Sequence, residues 1–177
     1  MNIGIRQSIA RWGNEESRLE SPVGTTTRSE AIKLPGDLRE WINPYTLFTW
    51  IEEELTSLKE SEPAWGQCQS REPGKLLGVL CFAYACEILS SEEIVHATRT
   101  NVVLRQLAEE ESYFERDVFQ FRRKHRPTIL RLLAGVFVRA IAWKEDVSVR
   151  NLKSDVLQNV IAQARERLDT ARHLDVS

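Results

Sequence analysis

The sequence lacks the local motifs that mark most enzyme classes. It contains no Gly-rich phosphate loop, no His-Glu-x-x-His pair and no Gly-x-Ser-x-Gly nucleophile turn. Its three histidines, His96, His125 and His173, are far apart along the chain. We interpret His96 as structural, His125 as a surface or phosphate-contacting residue, and the Ser90-Ser91 pair as a helix cap. We therefore expect no catalytic residue, no cofactor and no metal site.

Cysteine and long apolar runs are also scarce. Cys68, Cys81 and Cys86 form no Cys-x-x-Cys pair and have no histidine at metal-ligand spacing, which predicts small buried thiols in a reducing cytosol. No apolar run approaches the roughly 20 residues that a membrane helix requires. Arg6 and Arg11 interrupt the N-terminus where a signal peptide needs an apolar core. We expect a cytoplasmic protein that binds no membrane.

Positive charge is not in excess overall, but it is concentrated in one part of the chain. The formal net charge of the 177 residues is −2. Residues 1–74 carry a net −4 and residues 75–110 a net −2, whereas residues 111–150 carry nine cationic and five anionic side chains, a net +4. Within that part, residues 121–126 read Phe-Arg-Arg-Lys-His-Arg. We refer to these six residues as the basic segment.

Hydrophobic periodicity predicts helices and no sheet, because no stretch alternates with a period of two for long enough. We expect an all-α fold, a compact multi-helix bundle with a helix-turn-helix-like unit. Residues 1–33 read as a partly disordered N-terminal lead, with a short docking helix at 2–12, and residues 34–177 as one helical domain. We interpret residues 60–74 as a loop that is pinned by Trp65.

Capping residues predict where individual helices begin. Asp37 precedes a short helix over 38–42, Asn43 precedes a helix with Pro44 in its first turn, and Ser90 begins a capping box. Asp117 is the predicted cap of the helix that carries the basic segment, which Pro127 either kinks or restarts.

Three further helices follow from composition and spacing. Residues 75–89 are almost continuously apolar and predict a central buried helix, and residues 102–107 predict a short one. The helix over 152–174 is amphipathic, and it either closes the bundle or meets a partner. The candidate partner-binding residues on its apolar face are Val156, Leu157, Val160, Ile161 and Leu168.

A colinear series of motifs runs through the chain. It comprises Leu-Pro-x-Asp-Leu-Arg-Glu-Trp at 34–41, Phe-x-Tyr-x-x-x-Ile-Leu-Ser-Ser-x-x-Ile at 82–94, and the basic segment. Over about residues 34–137 the chain resembles the helical N-terminal domain of bacterial insertion-sequence DDE transposases. The resemblance implies a helical domain that engages transposon DNA and precedes a catalytic RNase-H-like domain.

The departures from that family are as informative as the matches. Glu92 and Glu93 stand where family members often carry a basic residue. The family's first catalytic Asp lies on a strand beside a Gly and a Thr, a context that Asp146 lacks, and the chain leaves no room for the catalytic sheet. We therefore expect no transposase activity from this polypeptide alone, and a transposase-derived protein that is DNA-associated or regulatory.

Two roles for the basic segment remain open at the level of sequence. In the first, duplex DNA is bound, because Lys and Arg neutralise phosphates and release counterions. The candidate residues are Arg116, Arg122, Arg123, Lys124, His125 and Arg126. In the second, the arginines pair with acidic segments 52–54 and 109–111 of the same chain.

A function without DNA contact is the alternative. The protein is then an adaptor that binds a partner such as a transcription factor or a defence-system component. Its acidic N-terminal half or its C-terminal helix would supply the interface.

Overall fold

A computed structural model describes residues 32–62, 73–109 and 111–175. These residues form six α-helices and two short 3-10 helices and include no strand, so the all-α prediction is confirmed. The helices are α1 Pro44–Ser61, α2 Pro73–Ala85, α3 Ser91–Thr100, α4 Val102–Leu107, α5 Glu115–Lys144 and α6 Ser154–Leu174, with 3-10 turns at Leu38–Glu40 and Val149–Asn151. Within these ranges, no helix has both the length and the apolarity to cross a membrane.

Several sequence-based predictions lie outside the described residues. They concern the helix over 2–12, the remainder of the lead up to residue 31, the Trp65 loop and Cys68. Cys81 and Cys86 are described, and both are buried free thiols as predicted.

The three predicted caps Asp37, Asn43 and Ser90 are confirmed by their hydrogen bonds. The Asp37 side chain accepts from the backbone N–H of Arg39 at 2.8 Å, and Asn43 caps α1 in the same manner. Ser90 and Glu93 form a reciprocal capping box at α3, which satisfies two backbone donors that otherwise lack an acceptor. Asn101 ends α3 and caps α4. Local sequence therefore sets these helix boundaries.

Helix α2 is the centre of the bundle, as its composition predicts. Every residue from Leu76 to Cys86 is buried, and the helix packs against α1, α4 and α5. The helix ends earlier than predicted, because Glu87 adopts the left-handed backbone conformation with a φ of 60°. The N–H of Ile88 then bonds to the carbonyl oxygen of Ala83 at 2.9 Å, which closes the helix end.

The cap of helix α5 lies three residues before the predicted one. Phe114 occupies the cap position, and Asp117 lies in the first turn, where its carboxylate accepts from the N–H of Phe114 at 3.1 Å. The prediction of Asp117 as the cap is therefore wrong, because the carboxylate reaches back from the third helical position. Of the two alternatives predicted for Pro127, the structure shows a kink, since His125 leaves the helical conformation with φ −116° and ψ 21°.

Helix α6 closes the bundle against α5. Val160, Ala164, Leu168 and Ala171 are fully buried along one face. Val156, Leu157 and Ile161 are partly buried against the same core. Val160 and Leu168 thus have no exposed surface for a partner, and their predicted partner-binding role is corrected. Val156, Leu157 and Ile161 keep part of their surface exposed, and their role stays a prediction. The apolar face is satisfied internally because α5 supplies a matching surface.

Candidate nucleic-acid interface

The positive charge of residues 111–150 is largely compensated within the chain. Arg139 binds the carboxylates of Glu53 and Glu54, and Arg131 Nη1 lies 2.6 Å from a carboxylate oxygen of Glu62. Glu53 and Glu54 thus join α1 to α5, and the Glu53 side chain is still 55% exposed. The net +4 of this part of the sequence does not become a +4 surface.

Arg122 is the most deeply placed member of the basic segment. It is 4% exposed, and its guanidinium donates to the carbonyl oxygens of Leu89 at 3.0 Å and Ala171 at 2.5 Å. Its Nη1 also lies 2.6 Å from the carboxylate of Asp175, whose side chain is 5% exposed. Arg122 and Asp175 therefore form a buried ion pair that joins α5 to the C-terminal end of α6. Its predicted contact with DNA is corrected, because no phosphate reaches a guanidinium at this depth.

Arg126 is also paired, but nearer the surface. Its Nη2 lies 2.8 Å from Asp169 Oδ1 on α6, and the two side chains are 35% and 46% exposed. Arg122 and Arg126 thus form ion pairs within the chain, as the second alternative predicts. The predicted acidic partners are wrong, because α6 packs on this side of α5 and supplies Asp169 and Asp175 instead.

The remaining cations of this part of α5 lie on its outer side. Arg116, Arg123 and Lys124 are all exposed, and we call these three residues the α5 cation face. Arg116 and Arg123 are seven residues apart, which puts them on the same side of a helix. The Arg123 guanidinium lies 5.6 Å from the centre of the Phe119 ring, a contact that orients it without neutralising its charge.

His125 lies at the kink and has a different character from its cationic neighbours. Burial, and then the charge of Lys124, lower the pKa of His125 below its ordinary value. Its ring centre is 4.5 Å from that of Phe121, which packs against the core. His125 is thus mainly neutral at pH 7, so it adds no charge to the α5 cation face.

Asp175 binds Arg122, and no prediction from the sequence included it. Its two carboxylate oxygens accept from the backbone N–H of Ser91 at 3.0 Å and from the Ser91 hydroxyl at 2.9 Å, in addition to Arg122. The sequence held one indication of a contact elsewhere: an acid at the C-terminal end of a helix is disfavoured by the dipole of its own helix. Its partner is instead the N-terminus of α3, where the dipole favours an anion.

Arg167 is a second missed residue. Its guanidinium donates to the carbonyl oxygens of Tyr84 at 2.7 Å and Ala85 at 3.1 Å, and to that of Pro35. The cation also lies 4.6 Å from the centre of the Phe137 ring. Arg167 thereby ties α6 to the C-terminal end of α2. Its position beside Leu168 on the apolar face is the feature of the sequence that could have predicted this contact.

The helix-turn-helix-like unit stays a prediction. Helices α3 and α4 are separated by Asn101 alone, and α3 packs against α5. Across the described ranges no three His, Cys, Asp or Glu side chains gather as metal ligands. In comparisons with known proteins, no family model, no curated protein and no solved structure matches this chain.

Proposed function

We propose that this chain is a non-catalytic, DNA-associated protein that binds the phosphate backbone of duplex DNA through the α5 cation face. The observation that carries this proposal is the exposure of Arg116, Arg123 and Lys124 on one helix, while Arg122 and Arg126 hold that helix to α6. The resemblance of residues 34–137 to transposase N-terminal domains supports the same role and a transposase-derived origin.

The number of available cations limits the strength of such binding. The three phosphate contacts of the α5 cation face contribute about −2.7 to the slope of log Kobs against log salt. Binding then weakens about 40-fold between 50 and 200 mM salt. Glu115 and Asp117 lie in the first turn of the same helix and reduce the local positive potential. We therefore expect weak binding with little sequence preference, since phosphate contacts carry no base information.

The test is titration of a labelled duplex at several salt concentrations with wild type and a triple variant, Arg116→Ala/Arg123→Ala/Lys124→Ala. We expect the wild type to bind at 50 mM salt and the triple variant to lose binding. Because all three side chains are exposed, each substitution changes the free energy of unfolding by only about 0.5 kcal/mol or less.

A matched control removes the same charge elsewhere. Lys33, Lys59 and Lys153 are exposed cations outside α5, so the variant Lys33→Ala/Lys59→Ala/Lys153→Ala has the same net charge. We expect it to bind as wild type does. An absence of wild-type binding at 50 mM salt, or equal losses in the two triple variants, contradicts the proposal.

The adaptor function is the second candidate, and one observation favours it. Phe114 and Trp143, at the two ends of α5, are more than half exposed, with Phe114 at 62%. Large exposed aromatic side chains occur at protein interfaces, although single ones are common on any surface. In a pull-down, we expect binding of such a partner to be unchanged in the triple variant of the α5 cation face and to weaken with Phe114→Ser or Trp143→Ser.

A further inference from the structure

The two ion pairs between α5 and α6 define how these helices lie beside each other. Arg126 contacts Asp169, whereas Arg122, four residues earlier on α5, contacts Ala171 and Asp175, which are later on α6. Moving toward the N-terminus of α5 therefore corresponds to moving toward the C-terminus of α6. The two helices are antiparallel here.

This arrangement places a cation of α6 at the level of the α5 cation face. Arg123 lies between Arg122 and Arg126 along α5, and Arg172 lies between Asp169 and Asp175 along α6. Because Arg126 contacts Asp169 and Arg122 contacts Asp175, the residues between these contacts lie at the same level along the two packed helices. Arg123 and Arg172 are therefore at about the same level on adjacent helices.

Both side chains are exposed at this position. Packed helices have axes about 8–10 Å apart, so two long cationic side chains reach one stretch of a polyanion. Their mutual repulsion is weak in water and is relieved when an anion lies between or above them. The carboxylate of Asp169, earlier on α6, is already bound to Arg126.

From this placement we propose that the phosphate-binding surface extends from α5 onto α6 through Arg172, and that Asp169 restrains its affinity by occupying Arg126. This inference rests on the proposed binding of DNA. Arg172 supplies a fourth phosphate contact beside Arg123. The Asp169 carboxylate occupies the place beside Arg126 that a phosphate would take, and its negative charge repels the DNA backbone.

Two single variants of opposite expected effect test the inference in the same titration. Arg172→Ala removes one phosphate contact, so we expect the salt slope to become shallower by about 0.9 and binding at 50 mM salt to weaken about tenfold. Asp169→Asn keeps the shape of the side chain but removes its charge. It releases Arg126, and we expect tighter binding with a slope steeper by about 0.9.

Lys153→Ala is the matched control for Arg172→Ala. Lys153 is an exposed cation at the start of α6, and about 28 Å of helix separates it from Arg172. The circular dichroism melting curve of each variant shows whether it remains folded. We expect Lys153→Ala to bind as wild type does.

The outcomes separate this inference from the proposed function. If wild type binds and depends on the α5 cation face, but Arg172→Ala binds as Lys153→Ala does, the extension onto α6 is overturned and the proposed function stands. If Asp169→Asn binds no more tightly than wild type, the restraining role of Asp169 is overturned. If no protein binds at 50 mM salt, both proposals fail together.

Discussion

Replacement of Arg122 by alanine is expected to destabilise the fold strongly. The substitution leaves the Asp175 carboxylate buried without its cation, and it removes the donors to the carbonyl oxygens of Leu89 and Ala171. Removing one partner of a buried ion pair costs about 3–5 kcal/mol. That is a large share of the roughly 5–15 kcal/mol by which a domain is stable.

The loss is measurable as a change in melting temperature. For a chain of this length each kcal/mol shifts the midpoint by about 2–4 °C, so Arg122→Ala is expected to melt about 6–20 °C below wild type. Circular dichroism at 222 nm follows the transition, because the described fold is helical throughout. Chemical denaturation gives the free energy of unfolding directly.

Arg123→Ala is the matched control, since the neighbouring arginine is exposed. We expect it to change the free energy of unfolding by about 0.5 kcal/mol or less. Arg122→Lys should lie between the two, because an ammonium keeps the charge and loses the planar fork of donors. Equal stability of Arg122→Ala and Arg123→Ala would refute the structural role of Arg122.

This prediction also changes how DNA binding is tested. A variant that combines Arg122 with its neighbours loses binding through unfolding, whatever the protein contacts. The α5 cation face has to be tested without Arg122. A loss of binding by a folded variant is then attributable to the exposed cations.

Two further predictions concern packing and pH. Gly78→Ala should destabilise the fold by about 1–2 kcal/mol in urea unfolding, because overpacking outweighs the gain in helix propensity. The added carbon would lie 2.9 Å from the buried Leu55 side chain. Gly135→Ala is the control that should cost less, because its added carbon would lie 3.0 Å from the carboxylate end of Glu54, outside the apolar core. Because the pKa of His125 is lower in the folded state than in the unfolded chain, its contribution to stability is complete above the unfolded pKa of about 6.5 and is lost as pH falls through the lowered folded-state pKa. His125→Gln should remove this part of the pH dependence, and an unchanged pH profile would contradict the assignment.

The sequence by itself determined the helices and most of their ends. Side chains at Asp37, Asn43 and Ser90 bond to backbone groups within three residues, so their effect is local and independent of the fold. The burial of α2 follows from composition alone, because a helix that is apolar on all sides has no face for water. Glu87 was unpredictable in this sense, since its left-handed conformation is a rare choice for a non-glycine residue.

Only the tertiary structure decided which cations of the basic segment reach the surface. Arg122 and Arg123 are adjacent and chemically identical in sequence, yet one is buried against α6 and the other is exposed. The difference arises because the buried apolar face of α6 fixes that helix against α5, and Asp169 and Asp175 come with it. Their partners are 43 and 53 residues away along the chain, a separation that no local pattern encodes.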